Sequence, residues 1–250
     1  MIWQACRGET HVKPLAGRLL RLVESQEQVA TLSLVDSLQE QALLEKLLEL
    51  SKPAYPLHTE ELHYLLKSPF RYPPLQWGSR FGTASQPSLF YAALNESSCL
   101  AESAYYRLLF WHSMSGSKPP KPRLRSKHTL FAVDFKTEQG INLTQPAFEH
   151  YQNELKSPSS YAATQALGTD MRLAGVEAVK YVSARDNSGG ICVGLFNSSV
   201  FKQRQPLWQQ QWVCEVTDAG VSFKQTGAPH VTHFPQSDFL VDDKLPVPAP

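Results

Sequence analysis

Glu102 and Arg80 are two charged residues that their sequence surroundings do not explain. Glu102 lies in CLAESAYYR, a run that reads as helix. One turn away stand Ser98, Cys99, Tyr105 and Tyr106; none is basic, so no i,i+3 or i,i+4 ion pair answers the carboxylate. A carboxylate among aromatic groups loses hydration unless the tertiary structure compensates it. Arg80 sits between Gly78 and Gly82 in the aromatic, proline-rich piece FRYPPLQWGSRFG. That glycine spacing suggests a strand or turn with close backbone approach. Two outcomes stay open: a structural Arg80–Glu102 pair, or a catalytic pair facing a ligand. The common signatures of phosphate loops, dinucleotide folds, serine hydrolases and zinc proteases are missing. His230 and His233 form HVTH in a proline-bounded stretch with no third ligand nearby, which argues against a zinc site.

Four pieces in order, GSRFG (Gly78–Gly82), SLFYAAL with Tyr91, CLAESAYYR with Glu102 and YVSARD with Ser183, resemble the RES-domain toxins. The family's Arg, Glu and Ser fall on Arg80, Glu102 and Ser183, and its tyrosine falls on Tyr91. The resemblance covers roughly residues 66–225. It implies an ADP-ribosyltransferase-like fold, a split and twisted β-core with helices around an NAD cleft. It implies consumption of NAD+ as substrate, without a metal, by hydrolysis or phosphorolysis of the nicotinamide–ribose bond. Transfer of ADP-ribose to a protein is the alternative, and a catalytically silent NAD-binding module is the second alternative. It also implies a cytoplasmic bacterial toxin, neutralised by a helical antitoxin that carries a DNA-binding domain and whose end occludes the cleft.

The implied roles are physically coherent. Nicotinamide is a good leaving group, so the transition state has oxocarbenium character, and Glu102 would steady that cation. Arg80 would hold the pyrophosphate with its forked donors. Tyr91 would offer a flat face to the nicotinamide. Ser183, at a strand end before a Gly-rich turn, would donate one orienting hydrogen bond. Arg185 could instead serve the phosphates, but reads first as an exposed turn residue.

The elements that must position these residues follow from periodicity. Residues 16–52 are predicted as helix: Leu19, Leu20 and Val23 make one apolar stripe, and Leu34, Val35, Leu38, Leu43, Leu44, Leu47 and Leu48 a second. Both are expected to pack on the chain's own core, with an antitoxin or a second copy as the other use. A short strand is predicted over Ser88–Leu94 and a helix over Asn95–His112, with Asn95, Ser97 and Ser98 as cap candidates. Residues 116–128, with five Lys or Arg, read as a solvated loop or an anion-attracting lip. Strands are predicted over Leu130–Phe135, Val176–Ser183 and Ile191–Phe196, a helix over Tyr161–Gly175, and a hairpin over residues 211–225. Helices and strands mix without regular alternation, so the class is α+β. The division expected is a helical N-terminal extension over 1–60, a catalytic domain over 66–225 and an irregular tail over 226–250.

Composition narrows the partners. Lys plus Arg is 24 and Asp plus Glu is 23, a formal net charge of +1. That balance argues against direct nucleic-acid binding, which needs a basic excess to displace counterions. No apolar run approaches the roughly 18 residues that span a bilayer, and the N-terminus has no signal-peptide pattern. Cys6, Cys99, Cys192 and Cys214 form no CxxC and read as free buried thiols. A homo-oligomer within a toxin–antitoxin complex is also compatible with the chain.

Overall fold

The computed structural model describes residues 1–25, 34–114 and 122–247. In chain order the elements are α1 (Ile2–Ala5), β1 (Val12–Glu24), α2 (Leu38–Ser51), α3 (Tyr64–Arg71), β2 (Phe90–Ala93), α4 (Glu96–Ser113), β3 (Leu124–Asn142), α5 (Gln152–Leu155), α6 (Ala162–Leu173), β4 (Ala178–Val182), β5 (Ile191–Leu195), β6 (Trp208–Thr217), β7 (Gly220–Gln225) and β8 (Thr232–Pro235). The class is α+β, as the sequence predicts.

The strands form one mixed sheet in the order β1-β2-β5-β4-β3-β6-β7-β8, and β1 also pairs with β3. That extra pairing closes a ring of five strands. β3 is long enough to divide its second edge. Its first half, Leu124 to Ala132, runs antiparallel to β6, and its end, Gly140 to Asn142, runs parallel to β4. The sheet is therefore split along β3. One apolar cluster takes Leu19, Phe90, Phe131, Ala178 and Val193, a side chain from every strand of the ring. A second cluster, with Leu22, Tyr105, Leu130, Val179 and Phe223, joins the opposite faces to α4 and α6.

β1 corrects the helix predicted from residue 16. Leu15, Leu19 and Val23 face the first cluster, while Leu20 and Leu22 face the second. A strand buried on both faces has no polar alternation, and its leucines then mimic a helical stripe. Helix occurs only over α2; residues 26–33 of the predicted helix lie outside the described residues. Ser37 caps α2, its Oγ accepting from the Glu40 amide at 3.2 Å, and Glu40 reaches back to the Asp36 amide at 2.9 Å. The expected packing of α2 on the core is not seen. Leu38, Leu43 and Leu47 are 78%, 57% and 54% exposed. An ion pair at 2.7 Å between Glu49 and Arg71 of α3 tethers the helix.

Two further expectations change. The basic stretch 116–128 is no loop from Leu124 onward, where it enters β3 and Arg125 pairs with Glu215 at 2.5 Å; residues 115–121 lie outside the described residues. The tail is partly ordered: β8 pairs with β7, and the Tyr105 hydroxyl donates to the Pro246 carbonyl at 2.6 Å. The four cysteines are free and buried.

Candidate active site

A cavity of about 770 Å³ opens beside α4. It is lined by Arg80, Tyr91 and Glu102, so three of the four sequence-predicted residues border the same cavity. Ser183 reaches the fourth position from behind, through Glu102.

α4 starts where Asn95 Oδ1 accepts from the Ser98 amide at 2.8 Å. Cys99, Glu102, Ser103, Tyr106, Arg107 and Phe110 all line the cavity, spaced by one, three or four positions. They form one face of the helix. Ser183 Oγ donates to Glu102 Oε1 at 2.5 Å and accepts from the amides of Arg185 and Asp186 at 3.0 and 3.1 Å. Those two amides occupy the oxygen's acceptor sites, so the hydroxyl proton has the carboxylate as its one outlet. Glu102 Oε2 has no hydrogen-bond partner among the described residues. One carboxylate oxygen is thus fixed and the other is available.

The turn that carries Ser183 is tied to α4 by Ser98 Oγ, which donates to Asp186 Oδ2 at 2.5 Å. Gly190 makes this contact feasible: a Cβ there would lie 1.7 Å from Ser98 Oγ. Burial opposes the charge on Asp186, but hydrogen bonds from Ser188, Ser98 and backbone amides hold it below the usual carboxylate range. Arg185 corrects the exposed-turn expectation. It is buried, 3.5 Å over the Tyr105 ring, and donates to the Pro158 carbonyl at 2.7 Å.

The turn around Arg80 is held from three sides. The Tyr91 hydroxyl accepts from the Phe81 amide at 2.9 Å and shares a hydrogen bond with Ser79 Oγ at 3.0 Å. Burial pushes the Tyr91 phenol up to about 12. Gln165 of α6 donates to the carbonyls of Trp77 and Ser79 at 2.9 and 3.2 Å. Gly168 lets α6 approach so closely that a Cβ there would meet the Phe81 carbonyl oxygen at 2.1 Å. Arg80 itself is buried, lies 4.9 Å over the Tyr161 ring, and spends Nη1 on the carbonyls of Leu155 and Ser157 at 3.0 and 3.1 Å. No ion pair within 4 Å joins it to Glu102 among the described residues, so the structural-pair alternative is not realised.

Arg21 is the residue that sequence reasoning missed. It projects from β1 into the cavity wall, donates to the Tyr91 carbonyl, and leaves Nε buried without a partner. Burial lowers its pKa. Among the described residues no carboxylate pairs with it, whereas Arg107 pairs with Glu24 at 2.9 Å and Arg125 with Glu215. Arg21 and Arg80 are therefore the uncompensated cations of the wall. Period-two reading of Arg21, Val23 and their neighbours would have exposed it. The thiols are poor nucleophiles here: burial pushes Cys99 up to about 12 and Cys192 well above its usual value.

The cavity thus brings together one carboxylate oxygen without a hydrogen-bond partner among the described residues, two guanidinium groups without a carboxylate partner, and aromatic side chains. The RES domain family model matches residues 53–216, and the chain belongs to the RES-domain family. No curated protein matches it. Among solved structures, the crystal structure of the M. tuberculosis MbcT-MbcA toxin-antitoxin complex contains a similar chain. Its TM-score is 0.47 at 11% identity, covering 86% of this chain and 92% of that chain.

Proposed function

We propose that this protein is a cytoplasmic toxin that cleaves the nicotinamide–ribosyl bond of NAD+. The observation that carries this reading is the Glu102 carboxylate, pinned through Oε1 by Ser183 and left open at Oε2 in a cavity with unpaired cations. As the glycosidic C–N bond breaks, its electron pair neutralises the pyridinium nitrogen and nicotinamide departs. Positive charge grows on the ribose ring, and a fixed carboxylate stabilises it more in the transition state than in the ground state. Arg21, together with the Nε and Nη2 donors of Arg80, supplies the cationic groups for the diphosphate. Tyr91 and Ser183 act largely as supports: the Tyr91 hydroxyl holds the Arg80 turn, and Ser183 orients the carboxylate.

The nucleophile decides the product. Water adds its oxygen to the ribosyl carbon and releases a proton, giving ADP-ribose; phosphate gives ADP-ribose 1″-phosphate; a protein side chain gives an ADP-ribosylated protein. A partner protein that covers the cavity, an antitoxin with a DNA-binding domain, would restrain the enzyme in its host. The assay is purified, folded protein with NAD+, with and without phosphate, following free nicotinamide. Release of nicotinamide is expected, and a phosphate requirement identifies phosphorolysis. Absence of release under every condition, including with cell lysate as acceptor, overturns the reading.

A further inference from the structure

We propose that the Phe110 end of the cavity seats the purine base of the substrate's adenine-nucleotide half, a subsite that rests on the reading of the substrate given above. Two elements frame one stretch of the cavity and agree on its order. Along α4 the lining runs from Glu102 past Tyr106 and Arg107 to Phe110, about 12 Å at the helical rise. Along β1 it runs from Arg21 to Glu24, and the Glu24–Arg107 ion pair joins the two elements at the same level. The reactive carboxylate and Arg21 thus lie at the start of this stretch, and Phe110 lies a dinucleotide's reach away.

The chemistry of that end suits a neutral heteroaromatic ring and not a phosphate. Its two arginines, Arg107 and Arg125, are already neutralised by Glu24 and Glu215. His128 in its wall is held neutral by burial and by the Arg107 charge. Phe110 and Tyr106 are 51% and 44% exposed on a helix that buries Tyr105, Leu108 and Trp111; the Arg107 guanidinium lies 5.3 Å over one face of the Phe110 ring, which leaves the other face for a base. A base stacked on such a ring removes apolar area on both partners, and this contact is indifferent to salt. The wall made by Pro73, Pro74 and Leu75 is aliphatic and offers no such plane.

The test uses AMP and nicotinamide mononucleotide as separate probes, titrated calorimetrically into the full chain. For Phe110→Ala, the AMP Kd is expected to rise about tenfold or more, as loss of one base-stacking ring does. The nicotinamide mononucleotide Kd is expected to stay as in the parent protein. Leu75→Ala is expected to leave AMP binding intact. The subsite is overturned if the parent protein does not bind AMP, if Phe110→Ala weakens both probes equally or neither, or if Leu75→Ala is the variant that loses AMP. The two readings fail separately. NAD+ cleavage with AMP binding insensitive to Phe110 removes the subsite alone; selective AMP loss without nicotinamide release keeps the subsite and removes the cleavage reaction.

Discussion

Glu102 binds its serine through one oxygen and faces the cavity with the other, which sets what its substitution should do. Glu102→Gln keeps an oxygen acceptor for Ser183 and removes the charge. Nicotinamide release is expected to fall by about two to four orders of magnitude. The melting temperature should move little, because among the described residues Glu102 makes no ion pair within 4 Å that the substitution would break. A sharp drop in melting temperature with an unchanged rate in the folded fraction would make the carboxylate structural. Arg80→Ala should behave differently, since it strips donors from the Leu155 and Ser157 carbonyls as well as from the cavity. A loss of about 1–3 kcal/mol in a denaturant titration is expected alongside weaker NAD+ binding. His128 gives a pH dependence. Burial and the Arg107 charge lower its pKa to about 4, below the unfolded value. The unfolded chain therefore binds the extra proton between about pH 4 and 6.5, and stability rises with pH across that window, by up to about 3 kcal/mol. His128→Phe should flatten that part of the stability curve; an unchanged slope would place the effect elsewhere.

At the scale of elements, legibility followed burial. α4 was readable to within a residue because its cap, its acidic first turn and its apolar face all point one way. β4, β5 and the β6–β7 hairpin were readable because short β-branched runs end at glycine turns. Arg80, Tyr91, Glu102 and Ser183 were legible as an ordered set, but what each touches was not. The Tyr91 hydroxyl binds a backbone amide 10 residues earlier, and the Arg80 guanidinium binds carbonyls 75 and 77 residues later. No local pattern encodes such partners. β1 was misread because both its faces are buried, and Arg21 was missed with it. Its place in the ring gives a test. Leu19 is fully buried opposite Val133, so Leu19→Ala should cost about 2–5 kcal/mol in unfolding free energy. Removal of residues 1–25 should yield insoluble protein, because β3 would lose its longest partner. A soluble and active fragment lacking β1 would contradict that role.

At the scale of the molecule, the family match begins at residue 53, yet the ring needs a strand from residues 12–24 to close. The leucines of α2 remain on the outside, tethered by the Glu49–Arg71 ion pair. Closure joins distant parts of the chain: Ser25 Oγ and Thr129 Oγ1 meet at 2.8 Å across 104 residues. On a ribosome moving at about 5–20 residues per second, β1 waits roughly 5–20 s for its neighbour to appear. Until β3 emerges, only β2 and α4 offer its leucines part of their native surface. Ser183 and β5 emerge later still, so an abandoned translation product carries no assembled site.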